Sequence, residues 1–135
     1  MSKGRVLVIE DNRDNLELIR FLLEQGSFEV FTAMDGRDGL EKARTHHPQI
    51  VLLDMSIPEI DGWHLARALK SARETSDILI IALTGHTLPG DRKKALEAGC
   101  DGYISKPLDV PHFAEQVENY LLHRIDSPRD SSVTL

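Results

Sequence analysis

Short apolar runs alternate with amphipathic stretches along most of the chain. Three of the runs are wholly apolar, which is typical of strands buried on both faces of a parallel sheet. Two further runs are shorter or mixed in character, and turn-forming residues next to them also favour strands. Together the runs predict five strands, at 6–9, 28–33, 50–53, 78–83 and 102–105.

The stretches between the strands carry apolar residues three or four positions apart, the spacing of a helix with one buried face. Asn12 or Asp14 can cap the first of these helices, and Gly26 can end it. Pro48 stops the second, because a helix rarely continues to the residue before a proline. The predicted helices are five, at about 12–25, 36–46, 63–72, 89–99 and 111–123.

This alternation of strands and helices predicts an α/β fold, a doubly wound parallel sheet with helices on both faces. The chain has 135 residues, a length typical of one domain, which we expect over 1–125. Residues 126–135 are polar and have no hydrophobic period, so we expect a disordered tail there. A docking peptide is the alternative interpretation of that tail.

Composition and charge argue against several classes of protein, among them nucleic-acid-binding and membrane-spanning proteins. Hydrophobic residues make up 41% of the chain and charged residues 28%, as in an ordinary globular protein. The net charge of −6 disfavours a nucleic-acid partner, because phosphate binding needs a basic surface. No apolar run is long enough for a membrane span or a signal peptide, so we expect a cytoplasmic protein. Cys100 is the only cysteine, which rules out an internal disulfide.

Polar residues whose side chains could bind a ligand or take part in a reaction follow four of the five predicted strands. Glu10 and Asp11 come after the first strand, and Asp54 comes after the third. Thr84 and Lys106 follow the fourth and the fifth. In open α/β sheets the functional crevice lies outside the carboxyl ends of the strands. We therefore expect these five side chains to share one site.

The chemistry of this set indicates a metal and a phosphoryl group. Crowded carboxylates repel one another and need a cation. Oxygen-only ligands suit Mg²⁺, or Mn²⁺, and no Cys/His set has the spacing of a zinc site. A carboxylate can also attack phosphorus and form an acyl phosphate, while an ammonium neutralises the phosphoryl oxygens. Asp54 is the favoured nucleophile, and Asp11 is a weaker alternative because Glu10 and Asp11 resemble a metal-holding pair.

Several motifs in register give the chain a family resemblance. The chain resembles the receiver domain of two-component response regulators, the CheY-like family, over about residues 4–123. Its stretch 99–113 resembles hybrid-kinase receivers and DivK-type regulators more than it resembles chemotaxis CheY. The resemblance implies five helices around a five-stranded parallel sheet of order 2-1-3-4-5. The motifs are Val6–Asn12, Leu52–Asp54 with Pro58 and Asp61-Gly62, Ala82–Thr84, and Gly99–Pro107.

The resemblance also implies a role for each acidic residue of the site. Asp54 would be phosphorylated by a phosphohistidine of a sensor histidine kinase, a hybrid kinase or a phosphotransfer protein. Mg²⁺ would be bound by the side chains of Asp11 and Asp54 and by the backbone carbonyl of Ser56. Glu10 would act on the ion through a water molecule.

The remaining implied roles concern switching and lifetime. Lys106 would pair with the phosphoryl group, and the Lys106–Pro107 peptide bond would be cis. Thr84 and Tyr103 would move together after phosphorylation. Ser56 and His86 would flank the acyl phosphate and tune its hydrolysis. The protein would then signal through contacts of its fourth helix, last strand and last helix with a downstream protein, as a monomer or weak dimer and not as an enzyme in the usual sense.

Two other functions belong to different classes. An aspartyl-nucleophile phosphatase needs a second aspartate two residues after the nucleophile, and Ser56 stands at that position. A scaffold with the same fold would bind a partner without phosphorylation. The complete set of acceptor, acid pair, hydroxyl and lysine argues against the scaffold.

Overall fold

Five parallel strands form the centre of the molecule, in the order β2-β1-β3-β4-β5. The protein is represented by a computed structural model that describes residues 2–55, 62–85, 93 and 96–126. The sheet order confirms the predicted doubly wound architecture. The strands are β1 (Arg5–Ile9), β2 (Glu29–Ala33), β3 (Ile50–Asp54), β4 (Leu79–Thr84) and β5 (Gly102–Ser105).

Helices cover both faces of this sheet, and their bounds differ from the predicted ones by only a few residues. Pro111 lies in a short 3₁₀ turn before the last helix instead of opening that helix. The last helix continues through Asp126, one residue past the expected end of the domain. The helices are α1 (Arg13–Gln25), α2 (Gly36–His46), α3 (Gly62–Ser71) and the C-terminal helix (Phe113–Asp126).

Two predicted segments lie wholly or mostly outside the described residues. Of the predicted fourth helix, only its last part is described, and Lys93, Leu96 and Glu97 are helical there. Of the predicted tail, only Asp126 is described. Both interpretations therefore stay predictions.

Side-chain caps fix the starts of the first two helices. The Oδ1 atom of Asn12 accepts a hydrogen bond of 2.9 Å from the N–H of Asn15 at the start of α1. The Oδ1 atom of Asp35 accepts one of 2.8 Å from the N–H of Asp38 in α2. Each cap satisfies a helical N–H that has no partner within the helix, a contribution of about 1 kcal/mol.

The core consists of two apolar layers, one on each face of the sheet. On one face, alternate residues of β1, β3 and β4 pack against α2 and α3, and Cys100 is buried with them. On the other face, the intervening residues pack against α1 and the C-terminal helix. Fully burying each of the larger side chains contributes about 1.5–3 kcal/mol, which fixes the strands in place. Burial also raises the pKa of the Cys100 thiol to about 12, so this thiol stays protonated.

Close packing of α2 on the first strand depends on a glycine. A methyl group at Gly39 would overlap the Cδ1 atom of Ile9 and lie 2.9 Å from its Cγ1 atom. Alanine at this position would therefore force either the Ile9 side chain or α2 itself to shift. Ile9 directly precedes the acidic pair Glu10-Asp11.

None of the helices in the described part of the chain is both long and apolar enough to cross a lipid bilayer.

Candidate functional site

Strand pairing brings the predicted site residues together at the carboxyl edge of the sheet. Ile9 of β1 pairs with Leu53 of β3, so the residues that follow them, Glu10 and Asp54, are neighbours. At the same edge, where β4 and β5 end, the N–H of Lys106 donates a hydrogen bond of 2.8 Å to the carbonyl of Thr84. Four strand ends thus meet at one place, as the sequence predicts.

An acidic cluster occupies the centre of this edge. Glu10, Asp11 and Asp54 each offer a carboxylate oxygen, and these oxygens lie within 4.8 Å of one another. Glu10 and Asp54 are buried, with exposures of 1% and 2%, whereas Asp11 is exposed. The cluster therefore has a buried floor of two carboxylates and one carboxylate at its opening.

Lys106 reaches this cluster from the end of β5. Its Nζ atom lies 3.3 Å from Oδ2 of Asp54 and 3.4 Å from Oε1 of Glu10. One ammonium cannot balance three ionised carboxylates, so an excess of negative charge remains. A divalent cation matches that excess and would bind to hard oxygen ligands.

The pKa of Glu10 is raised, in part by this excess of negative charge. The pKa of Glu10 is raised from 4.5 to about 7, mainly by burial and further by a hydrogen bond with Asp54 and by the charge of Asp54. Two contacts act in the opposite direction, the N–H of Asn12 at 3.2 Å from Oε2 and the ammonium of Lys106. Without a cation, the pair Glu10–Asp54 thus tends to keep a proton, which reduces the repulsion between the two carboxylates. A bound cation would reduce the same repulsion. The residues present fit a magnesium ion.

The other predicted residues lie around the cluster. Thr84 ends β4 with 3% of its surface exposed, and Tyr103 is half-buried in β5. The Lys106–Pro107 peptide bond is cis. Ser56 and His86 lie outside the described residues.

The sequence interpretation missed two features, one on the surface of the molecule and one at β5. Leu18 and Phe21 of α1 are 41% and 56% exposed, and Val110 beside the C-terminal helix is 46% exposed. A helical wheel of α1 would have shown the first two, since they fall outside its buried stripe of Leu16 and Ile19. The second feature is the contact of Tyr120 with β5, which joins residues 17 positions apart and has no local sequence signal.

Comparison with known proteins gives the family. The model of the response regulator receiver domain matches residues 6–118 of the chain. The chain belongs to this family. A curated relative is the polar-differentiation response regulator DivK of Brucella ovis, 38% identical over 121 residues, which are 90% of this chain and 98% of the relative.

Solved structures agree with this receiver fold. The chemotaxis response regulator CheY4 of Vibrio cholerae aligns with a TM-score of 0.81 at 23% identity, over 86% of this receiver and 97% of CheY4. The receiver domain of a sensor histidine kinase from Pseudomonas aeruginosa aligns with a TM-score of 0.78 at 27% identity, over 87% and 95% of the two chains. That structure has a magnesium ion coordinated in its active-site cleft. The acidic cluster of the present receiver is compatible with magnesium binding.

Proposed function

We propose that this receiver domain is a phosphorylation-dependent switch whose phosphoacceptor is Asp54. The observation that carries the proposal is the buried contact of Asp54 with Lys106, 3.3 Å away, inside a cluster of two further carboxylates. The donor would be a phosphohistidine of a sensor histidine kinase, a hybrid kinase or a phosphotransfer protein. The curated relative DivK is a response regulator, which supports a place in the same kind of signalling system.

In the proposed reaction, a carboxylate oxygen of Asp54 attacks the phosphorus atom of the donor. A P–O bond forms, the P–N bond to the donor imidazole breaks, and its electron pair stays on the imidazole nitrogen. Asp11 and Asp54 would hold Mg²⁺ with their side chains, Ser56 with its backbone carbonyl and Glu10 through a water. When bound, the ion neutralises negative charge that gathers on the phosphoryl oxygens.

Lys106 and Thr84 would act on the phosphorylated form. The ammonium of Lys106 already contacts Asp54 and would pair with a phosphoryl oxygen, because the new group adds close to two negative charges there. The Thr84 hydroxyl would turn towards the same group, and Tyr103 would change position with it. This redistribution biases two pre-existing states by the free energy that the new contacts supply. The output surface would consist of the fourth helix, β5 and the C-terminal helix.

Asp54 fits the acceptor role better than Asp11 does. Asp54 is 2% exposed and contacts the ammonium, so a phosphoryl group on it would be paired at once. Asp11 is exposed at the opening of the cluster, where it can complete a metal site. The phosphatase and the phosphorylation-independent scaffold remain as outcomes of the experiment below.

The donor must cover the surface next to Asp54 to bring its histidine within bonding distance. Leu18 and Phe21 are exposed and lie three residues apart on α1, a spacing that makes them neighbours on the helix surface, and Val110 is also exposed; these three side chains are called the apolar patch. Leu18 and Val110 also line a cleft of about 280 Å³ together with Glu10 and Lys106, so the patch continues into the site. We infer that the phosphodonor protein packs on this patch.

The test is intact mass spectrometry after incubation with acetyl phosphate and Mg²⁺. We expect a gain of one phosphate that is absent in Asp54→Asn and absent with EDTA. An unphosphorylated parent protein would support the scaffold, and steady hydrolysis of a phosphoester would support the phosphatase. A gain that persists in Asp54→Asn would transfer the acceptor role to another residue.

The apolar patch is tested by comparing two donors on one variant. Phe21→Ser should slow transfer from a phosphorylated histidine phosphotransfer protein at least tenfold, because it removes apolar contact at the interface. Phosphorylation by acetyl phosphate should be unchanged, since a small donor needs no docking surface. Equal rates with the protein donor for parent and variant would contradict docking on this patch.

A further inference from the structure

Tyr120 of the C-terminal helix binds the backbone of Tyr103 with a single hydroxyl group. The N–H of Tyr103 donates to the Tyr120 hydroxyl at 3.1 Å, and the hydroxyl donates to the Tyr103 carbonyl at 3.2 Å. Both contacts are partly buried. The two backbone groups of Tyr103 that face away from β4 thus have a side-chain partner in place of a neighbouring strand.

The ring of Tyr120 packs closely on the same strand. It lies over Gly102, where an added methyl group would approach the Cζ atom of Tyr120 to 2.5 Å. The Tyr120 side chain also packs against the apolar layer of α1 and the C-terminal helix. The Tyr103 side chain packs on the opposite layer, with α2 and α3. Tyr120 therefore reaches around the outer edge of β5 from one face of the sheet towards the other.

The strand held in this way carries two residues of the proposed switch. Tyr103 lies in β5, and Lys106 follows the end of the strand and contacts Asp54 and Glu10. On its inner side β5 pairs with β4, where Ala82 is the partner of Tyr103. A displacement of Lys106 or Tyr103 after phosphorylation would thus act on a backbone that is tied to the C-terminal helix.

We propose that Tyr120 is a positioning residue of the switch, which makes the C-terminal helix follow movements of β5. The proposal rests on the proposed function, because the movement begins with phosphorylation of Asp54. Two hydrogen bonds to one peptide segment transmit a backbone shift directly, whereas apolar packing alone allows the ring to slide. Removing the hydroxyl should therefore uncouple the helix from the strand without preventing phosphorylation.

Tyr120→Phe is the variant that isolates the hydroxyl, since it keeps the ring over Gly102. Thr75→Val is the matched control. The Thr75 hydroxyl is buried, donates a hydrogen bond of 2.6 Å to the carbonyl of Leu69 and belongs to the loop before β4. Each variant loses hydrogen bonding that is at least partly buried and should unfold at a lower temperature, but only Tyr120→Phe alters a contact with β5.

The measurement is ¹⁵N NMR of the full chain with Mg²⁺ and beryllofluoride, a mimic of the phosphoryl group. In the parent and in Thr75→Val, the amide signals of residues 114–123 should shift on activation. In Tyr120→Phe we expect those shifts to fall below half, and the Tyr103 amide to exchange with solvent at least tenfold faster. Phosphorylation by acetyl phosphate should stay within twofold of the parent rate in all three proteins.

The outcomes separate this proposal from the one on which it rests. A parent protein that is not phosphorylated overturns the proposed function and this proposal with it. A phosphorylated parent whose helix signals do not shift overturns only the role of Tyr120. Undiminished helix shifts in Tyr120→Phe, or an equal loss of shifts in Thr75→Val, also overturn only that role.

Discussion

At the scale of single residues, Glu10 has the most informative surroundings. Its carboxyl group is 1% exposed and lies beside the buried carboxyl of Asp54, and burial is the main cause of its raised pKa of about 7. The ordinary pKa is 4.5, so the folded protein holds this proton more tightly than the unfolded chain does. By linkage, this group favours folding as the pH falls through 7, and the contribution is lost as the pH rises.

We predict that Glu10→Gln removes this pH dependence in metal-free protein. Between about pH 5.5 and about pH 8.5, the parent should lose about 2 kcal/mol of stability relative to the variant, because in that range Glu10 ionises in a buried position beside Asp54. Urea unfolding of both proteins in EDTA measures the difference. A gap between the two proteins that stays constant with pH would show that Glu10 has an ordinary pKa.

At the scale of elements, a mostly buried ion pair fastens α3 to the sheet at the edge opposite the acidic cluster. The Nζ atom of Lys70 lies 2.7 Å from Oδ2 of Asp101, with side-chain exposures of 13% and 14%. Lys70 also donates to the carbonyl of Ile78 at 2.8 Å, and Asp101 accepts from the N–H of Ile80 at 2.9 Å. The pair thus joins the end of a helix to the beginnings of β4 and β5.

Lys70→Met should destabilise the protein by about 3 kcal/mol, because it leaves Asp101 as a buried carboxylate without its ammonium. Lys3→Met is the matched control. Lys3 pairs with Glu118 at 3.0 Å, but the two side chains are 46% and 32% exposed, so its loss should cost less than about 1 kcal/mol. Urea unfolding at neutral pH measures both, and similar losses in the two variants would refute the argument from burial.

Elements differ in how much of them a sequence reveals. The strands were predictable because runs such as Ile50–Leu53 have no polar face. The site followed from parallel topology, which places the residues at the carboxyl ends of β1 and β3 side by side. Contacts that depend on the path of a long connection were not predictable. Lys70 and Asp101 meet only because the turns around β4 return to the same edge, and Tyr120 reaches Tyr103 only because Gly102 leaves room for a ring.

At the scale of the whole molecule, metal binding and folding should be coupled. A cation that neutralises the acidic cluster binds the folded chain, where three carboxylates lie within 4.8 Å, and not the unfolded chain, where they are dispersed. The destabilising proximity of these groups in metal-free protein then becomes a source of stability.

Mg²⁺ at about one hundred times its half-saturating concentration should raise the free energy of unfolding by about 2.7 kcal/mol. In Asp11→Asn the effect should be largely absent, because the variant loses one carboxylate of the cluster. Asp11 is exposed, so this substitution leaves the core intact and the variant serves as its own folded control in EDTA. Calorimetry of both proteins, with and without the ion, checks the prediction. An equal gain in both would place the magnesium site elsewhere.

The missing side chain at Gly39 has a consequence for how such a molecule can change over generations. The helix that carries this glycine packs against the Ile9 side chain, and Ile9 directly precedes the acids Glu10 and Asp11. A lineage that acquired alanine at 39 would meet a clash with Ile9, and a smaller residue at 9 would relieve it. Positions 9 and 39 are therefore expected to change together during evolution, although Gly39 has no side chain that could take part in the chemistry of the site.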